Sequence, residues 1–319
     1  MELSVIICAH NPRLEYLNLT LDGLKAQTLS FEQWELILID NASSQALAEQ
    51  CDLSWHVNAR CIREDELGLT PARMRGIREA KGDVLVFVDD DNILPPKYIE
   101  TALELLRKNK WLGVAGAATM TPRYETEPDP QIRDYCYGLL ALRNDGQDRF
   151  TNLPLVNSAL PAGAGMCVRK VVADALETKK RNSSGPVFDR KGASLVSSGD
   201  IEFSLVAVSC GYAYGIFASL TLTHLIPSRR VQAEYLLDLQ EALTYSNDLL
   251  RRLHNQELSQ PPRPKSREVI TLMGCAIRVG GAKGIHRRFQ WRRARGLWKA
   301  LREFRHLHNI APTAQQGKC

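Results

Sequence analysis

Short apolar runs that end in polar clusters organise the first half of the chain. Leu3 to Cys8 is apolar and β-branched and stops at His10-Asn11-Pro12, which predicts a strand and then a turn. Leu14, Leu17, Leu21 and Leu24 follow at helical spacing. Trp34 to Ile39 predicts a second strand, ended by Asp40-Asn41. Pro71 opens a short helix that the pattern stops at Gly82. Val84 to Val88 predicts a third, buried strand, cut off by Asp89-Asp90-Asp91-Asn92. A helix follows Pro95-Pro96, with Ile99, Leu103 and Leu106 on one face. Near-continuous apolar strands alternating with helices predict an α/β fold on a mostly parallel sheet flanked by helices. Ligands bind beyond the carboxyl ends of such strands. Those ends here carry His10-Asn11, Asp40-Asn41 and Asp89 to Asn92.

The middle of the chain is less regular. Residues 121–155 read as a long loop region, rich in charge and turn residues. Gly163-Ala164-Gly165 leads into a strand at Met166-Cys167-Val168 and a helix near 170–177. Ser198-Gly199-Asp200 precedes a helix with Phe203, Val206 and Ala207 at its apolar positions, ended by Gly211. Tyr212 to Thr223 predicts a strand, followed by His224-Leu225-Ile226-Pro227. Residues 229–258 are helical, Ser259 to Pro264 is a stiff linker, and about 266–308 is helical again. The expected division is a catalytic domain over 1–228 and a helical, basic extension over 229–319.

Charge sharpens that division. The chain of 319 residues carries a formal +5, but Arg263 to His306 holds 13 Lys or Arg against 2 Glu, a net +11. The remainder is therefore about −6, and the basic tail calls for an anionic surface partner. The last helix places Trp291, Ala294, Leu297, Trp298, Leu301 and Phe304 on one stripe, with arginines mainly elsewhere. That pattern suits an interfacial helix on anionic lipid, and equally a helix packed on the catalytic domain with solvated charges. Its arginines lack a recognisable nucleic-acid module, so no nucleic-acid partner is expected. No apolar run reaches about 18 residues, and the N-terminus lacks a basic region and a small-residue cleavage site. The eight cysteines form no CxxC pair and read as buried free thiols. Together these predict a cytoplasmic chain, peripheral at the inner face of the cell membrane.

Asp89-Asp90-Asp91 is the sharpest chemical signal. Three adjacent carboxylates repel one another unless a cation sits among them. Mg²⁺ or Mn²⁺, shared with substrate phosphates, is the natural occupant, and a solvated strand end is the plain alternative.

The order of motifs resembles family 2 glycosyltransferases of the GT-A fold, over roughly residues 3–230. Val5-Ile6-Ile7-Cys8-Ala9-His10-Asn11 looks like that family's opening strand and turn. Glu35 to Ser43 looks like its second strand, whose aspartate, here Asp40, holds the nucleotide base. Gly68-Leu69-Thr70-Pro71-Ala72-Arg73 looks like the helix start with an arginine beside the base. Val86 to Asn92 looks like the DxD motif, Gly199-Asp200-Ile201-Glu202-Phe203 like the acidic motif that supplies the base, and His224 to Pro227 like the histidine near metal and diphosphate. Two positions depart from the pattern: His10 stands where an aromatic is frequent, and Gly199 where the motif has Glu.

The resemblance implies an inverting hexosyl- or N-acetylhexosaminyl-transferase that uses a nucleoside diphosphate sugar, UDP-linked, in polysaccharide or cell-envelope synthesis. Ala9, His10, Asn11, Asp40, Arg73, Asp89 and Asp90 would bind the sugar nucleotide, Asp91 and His224 the metal, and Asp200 would be the base. The acceptor is a glycan or lipid-linked group, met by residues 121–165 and the C-terminal segment. Each residue has a plain competitor: Asp40 as a loop cap, Arg73 as a surface residue, His224 as a strand-end histidine, Asp200 as a helix N-cap. The rival functions are an inactive sugar-nucleotide-binding protein and a nucleotidyltransferase. The second would usually carry a Gly-rich phosphate loop near the N-terminus, which His10-Asn11-Pro12-Arg13 does not supply.

Overall fold

A computed structural model describes residues 1–182, 189–192, 194–257, 273–274 and 276–310. The chain begins with β1 (Leu3–Ala9), α1 (Leu14–Lys25), β2 (Trp34–Asn41), α2 (Leu47–Gln50), β3 (Ala59–Glu64), α3 (Leu69–Glu79) and β4 (Val84–Val88). It continues with β5 (Asn92–Ile93), α4 (Tyr98–Lys108), β6 (Leu112–Tyr124), α5 (Arg133–Leu139), β7 (Arg143–Asn144), β8 (Arg149–Thr151) and β9 (Met166–Arg169). The last elements are α6 (Lys170–Arg181), α7 (Gly199–Ser209), β10 (Ala213–Ile226), α8 (Ala233–Glu257) and α9 (Gly284–Ile310).

The strands form one sheet in the order β3-β2-β1-β4-β9-β6-β10-β5, with β7 on β6 and β8 on β10. The three apolar runs at its centre, β1, β2 and β4, are parallel and in register from Leu3 opposite Trp34 and Val84. Every residue of β2 and β4 is buried, which is why β4 reads as an unbroken apolar run and β2 as one interrupted only by Glu35 before Asp40-Asn41 close it. A fully buried Leu, Ile or Val contributes roughly 1.5–3 kcal/mol relative to exposure, so this centre is a firm base for the polar strand ends. The helices cover it with the faces that the periodicity marked: Leu17, Leu21 and Leu24 of α1, and Ile99, Leu103 and Leu106 of α4.

Two expectations need correction. Residues 121–155 are not one long loop: β6 runs on to Tyr124, and α5, β7 and β8 follow. Strands of two and three residues are too short to show a period, and they are ordered by pairing with β6 and β10 rather than by local propensity. The helix opened by Pro71 ends at Glu79, with Ala80 as its cap, so Gly82 lies in the turn before β4 instead of ending the helix. The sheet is mixed, because β9 runs antiparallel to both β4 and β6.

By compactness the chain divides into two units. One comprises Met1–Glu127, Leu140–Gly192 and Gly199–Ser228; the other comprises Pro128–Leu139, Ala193–Ser198 and Arg229–Cys319. The whole sheet lies in the first. In the second, α8 and α9 pack closely at Gly296, where a Cβ would come 2.6 Å from the Glu241 carbonyl oxygen and 2.9 Å from Thr244 Cβ. A mid-helix glycine costs propensity, and here it lets two helix backbones approach. Glu241 of α8 binds Arg292 at 3.0 Å, Arg295 at 3.5 Å and also Lys299. Tyr135 stacks on Phe289 with ring centroids 3.6 Å apart. No described helix is long and apolar enough to cross a membrane. Cys8, Cys51, Cys61, Cys136, Cys167 and Cys210 are free thiols; Cys275, Cys319 and the proline-rich linker lie outside the described residues.

Candidate active site

The carboxyl ends of β1, β2 and β3 are tied to one another by short polar side chains. Asn11 Oδ1 accepts bonds from the Ser44 backbone N–H (2.8 Å) and hydroxyl (2.9 Å), and the Asn11 N–H donates to Ser43 Oγ. His10 is exposed, with Nδ1 2.7 Å from the Asn41 carbonyl oxygen. Ala9, the last residue of β1, is buried beneath it. Asn11 and Ala42 sit at φ 44° and 51°, in the left-handed region where a non-glycine residue is strained.

Asp40 is buried and highly occupied. Its Oδ1 accepts the Ser43 N–H at 3.0 Å, while Oδ2 takes the Leu47 N–H at 3.2 Å and Arg63 Nη1 at 2.9 Å. Burial pushes this carboxyl up, but the bonds from Ser43, Leu47 and Arg63 outweigh it and hold Asp40 below the usual carboxylate range. Asp40 thus does what the plain alternative said, capping its loop. Asp40, Ser43, Cys61 and Arg63 line a cavity of about 440 Å³.

At the end of β4, Asp89 to Asn92 makes a tight turn. The Asn92 N–H donates to the Asp89 carbonyl, and its side chain joins the Asp89 N–H to Asp91 Oδ1. The pairing of β5 with β10 sets His224 opposite Asn92, which brings His224 Nε2 to 3.4 Å from Asp91 Oδ2. Burial, and then the like charge of Asp91, push the Asp89 carboxyl up against the pull of Arg73 and His224. Among the described residues no three or more His, Cys, Asp or Glu side chains converge as a metal cage. Asp91 and His224 nevertheless form a half-buried oxygen–nitrogen pair, which fits a cation that takes its other ligands from phosphate and water.

A third group lies behind the turn. Arg73 is 5% exposed and pairs with Asp189 at 3.3 Å; Asp189, Asp89, Asp200 and the Cys8 thiol are its electrostatic neighbours. Asp200 lies in the first turn of α7, which begins at Gly199, so it is not the N-cap of that helix. Its Oδ1 accepts the Ile201 N–H at 3.0 Å and its Oδ2 the Gly163 N–H at 3.1 Å. Burial pushes Asp200 up; Arg73 pulls it down, and Asp189 pushes it up again. A buried carboxyl held above its ordinary range is the setting in which a carboxylate can accept a proton. Glu202, two residues on, is paired with Lys180 of α6 at 2.6 Å.

Asp189 has no counterpart in the motif reading, although it touches both Thr70 and Arg73. The signal that points to it is Gly199, a glycine at a helix start where an acidic residue was expected. Asp90 lies in the turn with its side chain half-buried.

Residues 4–171 match the family described as Glycosyl transferase family 2, just over half of the chain. The chain belongs to glycosyl transferase family 2. The matched stretch contains His10, Asp40, Arg73 and the Asp89 to Asp91 triplet and ends before Asp189, Asp200 and His224. An uncharacterized glycosyltransferase of Haemophilus influenzae is 33% identical over 108 residues, 34% of this chain and 35% of that protein. A dolichol-phosphate mannosyltransferase of Pyrococcus furiosus is 30% identical over 132 residues, 40% of this chain and 36% of that protein. The chain thus spans about a third of the length of these curated relatives. The crystal structure of S. aureus TarS 1-349 aligns over 98% of this chain and 93% of that one, at 12% identity and a TM-score of 0.48. The mixed, mostly parallel sheet flanked by helices is the GT-A class of fold that the motif order implied.

Proposed function

We propose that this chain is an inverting glycosyltransferase that moves a hexosyl or N-acetylhexosaminyl group from a nucleoside diphosphate, UDP in the first instance, to a hydroxyl acceptor. The observation that carries the proposal is a convergence at the carboxyl ends of the strands. The Asp91–His224 pair and the buried Arg73–Asp189–Asp200 group both lie there, beyond a floor of buried, largely apolar strands. Asp91 and His224 would hold Mg²⁺ or Mn²⁺, which when bound neutralises charge on the leaving diphosphate. His10, Asn11 and Asp40 would meet the base and ribose, Arg73 would stand beside the base, and Asp89 would touch the ribose or the metal.

Asp200 takes the proton of the acceptor hydroxyl. The freed oxygen bonds to the anomeric carbon as the bond to the diphosphate oxygen breaks, and the electron pair leaves with the nucleotide. One displacement, passing through an oxocarbenium-like state as in glycoside hydrolysis, inverts the anomeric centre. Retention of Asp200 in place, despite Gly199, favours an active enzyme over an inactive sugar-nucleotide binder. The test is a panel of UDP-glucose, UDP-N-acetylglucosamine and GDP-mannose, scored as release of nucleoside diphosphate with Mn²⁺ and with EDTA. Release from at least one donor, suppressed by EDTA, is expected; no release from any donor contradicts the proposal.

The acceptor is proposed to lie at an anionic membrane surface. Helix α9 buries Phe289, Ala300 and Leu301 but leaves Trp291 55% and Trp298 52% exposed, with Arg302 over the Trp298 ring at 5.7 Å. Exposed indoles flanked by arginines combine apolar insertion with attraction to acidic headgroups. A lipid-linked acceptor would suit that placement, and one matched relative is a dolichol-phosphate mannosyltransferase. Replacing both Trp291 and Trp298 by Ser should weaken binding to phosphatidylglycerol vesicles by about tenfold or more. Unchanged co-sedimentation would remove α9 as the anchor.

A further inference from the structure

No side chain can stand at position 199 while Asp189 keeps its place. A Cβ on Gly199 would lie 2.5 Å from Asp189 Oδ1 and closer still to its Cγ and Oδ2. Real Cβ atoms do not approach that closely, so the Asp189 carboxylate occupies the volume that a residue at 199 would need. The occupant is well held. Asp189 is 5% exposed, accepts the Thr70 hydroxyl at 3.0 Å on Oδ2, and faces Arg73 Nη1 at 3.3 and 3.4 Å. Thr70 and Arg73 are three residues apart on α3 and therefore share a face. Next along the chain, the Arg190 carbonyl accepts the Leu69 N–H at 2.9 Å, which docks this segment on the start of α3. One carboxylate thus links the start of α3 to the start of α7, where Asp200 sits.

We propose that Asp189 is a positioning residue for the transfer reaction: lodged in the space left by Gly199, it engages Arg73 and so leaves Asp200 oriented to accept a proton. The proposal rests on the reading of Asp200 as the base. Arg73 is a buried cation whose other carboxylate neighbours are Asp89 and Asp200. A buried guanidinium deprived of one partner turns to the next, because an unpaired buried charge is costly. Without Asp189, Arg73 is left to Asp89 and Asp200, and to the extent that it closes on Asp200, a base in a tight ion pair gives up its affinity for a proton. The groups facing Asp200 are Arg73 from α3, Asp189, the backbone N–H groups of Ile201 and Gly163, and Arg143 of β7 at longer range. Loss of the Asp189 charge and closure of Arg73 act in the same direction on the base.

Two measurements on the full chain test this. The first needs no substrate. Asp189→Ala and Gly199→Asp should each lower the melting temperature, on the order of 5–15 °C, by leaving Arg73 unpaired or by crowding its partner. The double variant returns a carboxylate to nearly the same volume and should recover most of the loss; losses that simply add overturn the shared-space argument. The second follows turnover of the best donor of the UDP- and GDP-sugar panel. Asp189→Asn should lower kcat at least about tenfold with little change in KM, and move the acid limb of the rate profile to lower pH. The double variant should recover kcat to within about tenfold of wild type. Wild-type kcat and an unshifted limb in Asp189→Asn, alongside an inactive Asp200→Asn, would leave Asp189 a purely structural residue. Full turnover in Asp200→Asn would overturn the base assignment, and the positioning role with it.

Discussion

Asp200→Asn is expected to lower kcat by about 10²- to 10⁴-fold while the affinity for nucleoside diphosphate stays near that of the wild type. A base that removes a proton only in the transition state adds little to ground-state binding, so its loss appears in kcat. Asn preserves the size of the side chain, and its carbonyl oxygen can still accept one of the two backbone N–H bonds from Gly163 and Ile201. Glu202→Gln has a smaller effect, since Glu202 is already engaged with Lys180. The pH profile carries a second signature. The base must be ionised to work, and burial raises Asp200 above the ordinary carboxylate value. Activity therefore falls as pH drops through that raised value, at a higher pH than a solvent-exposed aspartate would give, near 4. Steady-state kinetics on both variants check this. Near-normal turnover in Asp200→Asn with none in Glu202→Gln would shift the base to Glu202.

The central strands β1, β2 and β4 and the polar residues at their ends could be read from the sequence because each is a largely apolar run that stops abruptly. His10 and Asp89 to Asp91 follow such stops and Asp40 closes one, whereas the strand expected to end at Thr223 runs on as β10 through His224 to Ile226. Asp189 could not be found that way. It lies in no periodic segment, and its bond to Arg73 spans 116 residues of chain, so only the tertiary fold brings the two together. The direction of β9 was also hidden, since a four-residue apolar run is the same for a parallel or an antiparallel neighbour. In α9 the apolar stripe read from the sequence is mostly not the packed face: Phe289, Gly296 and Ala300 are buried, and of the stripe only Leu301 is buried, while Trp291 and Trp298 are exposed. Gly296 turns the packed face toward α8, and Phe289 stacks on Tyr135 of α5. Small β7 and β8 depend on pairing, which no local pattern encodes.

Asp91→Ala is expected to weaken UDP binding in Mn²⁺ by at least about tenfold, to the level of the wild type in EDTA. In the proposed site Asp91 and His224, 3.4 Å from one another, would share a cation with the diphosphate. A cation with few protein ligands relies on each of them, and its binding is coupled to that of the phosphates. His224→Ala should fall in the same direction. The binding of a nucleoside diphosphate with a divalent cation at these strand ends is the central claim. Isothermal titration calorimetry of UDP into wild type and Asp91→Ala, each in Mn²⁺ and in EDTA, tests it most directly. The account predicts tight binding only for wild type with Mn²⁺; equal affinity in all four titrations would contradict it.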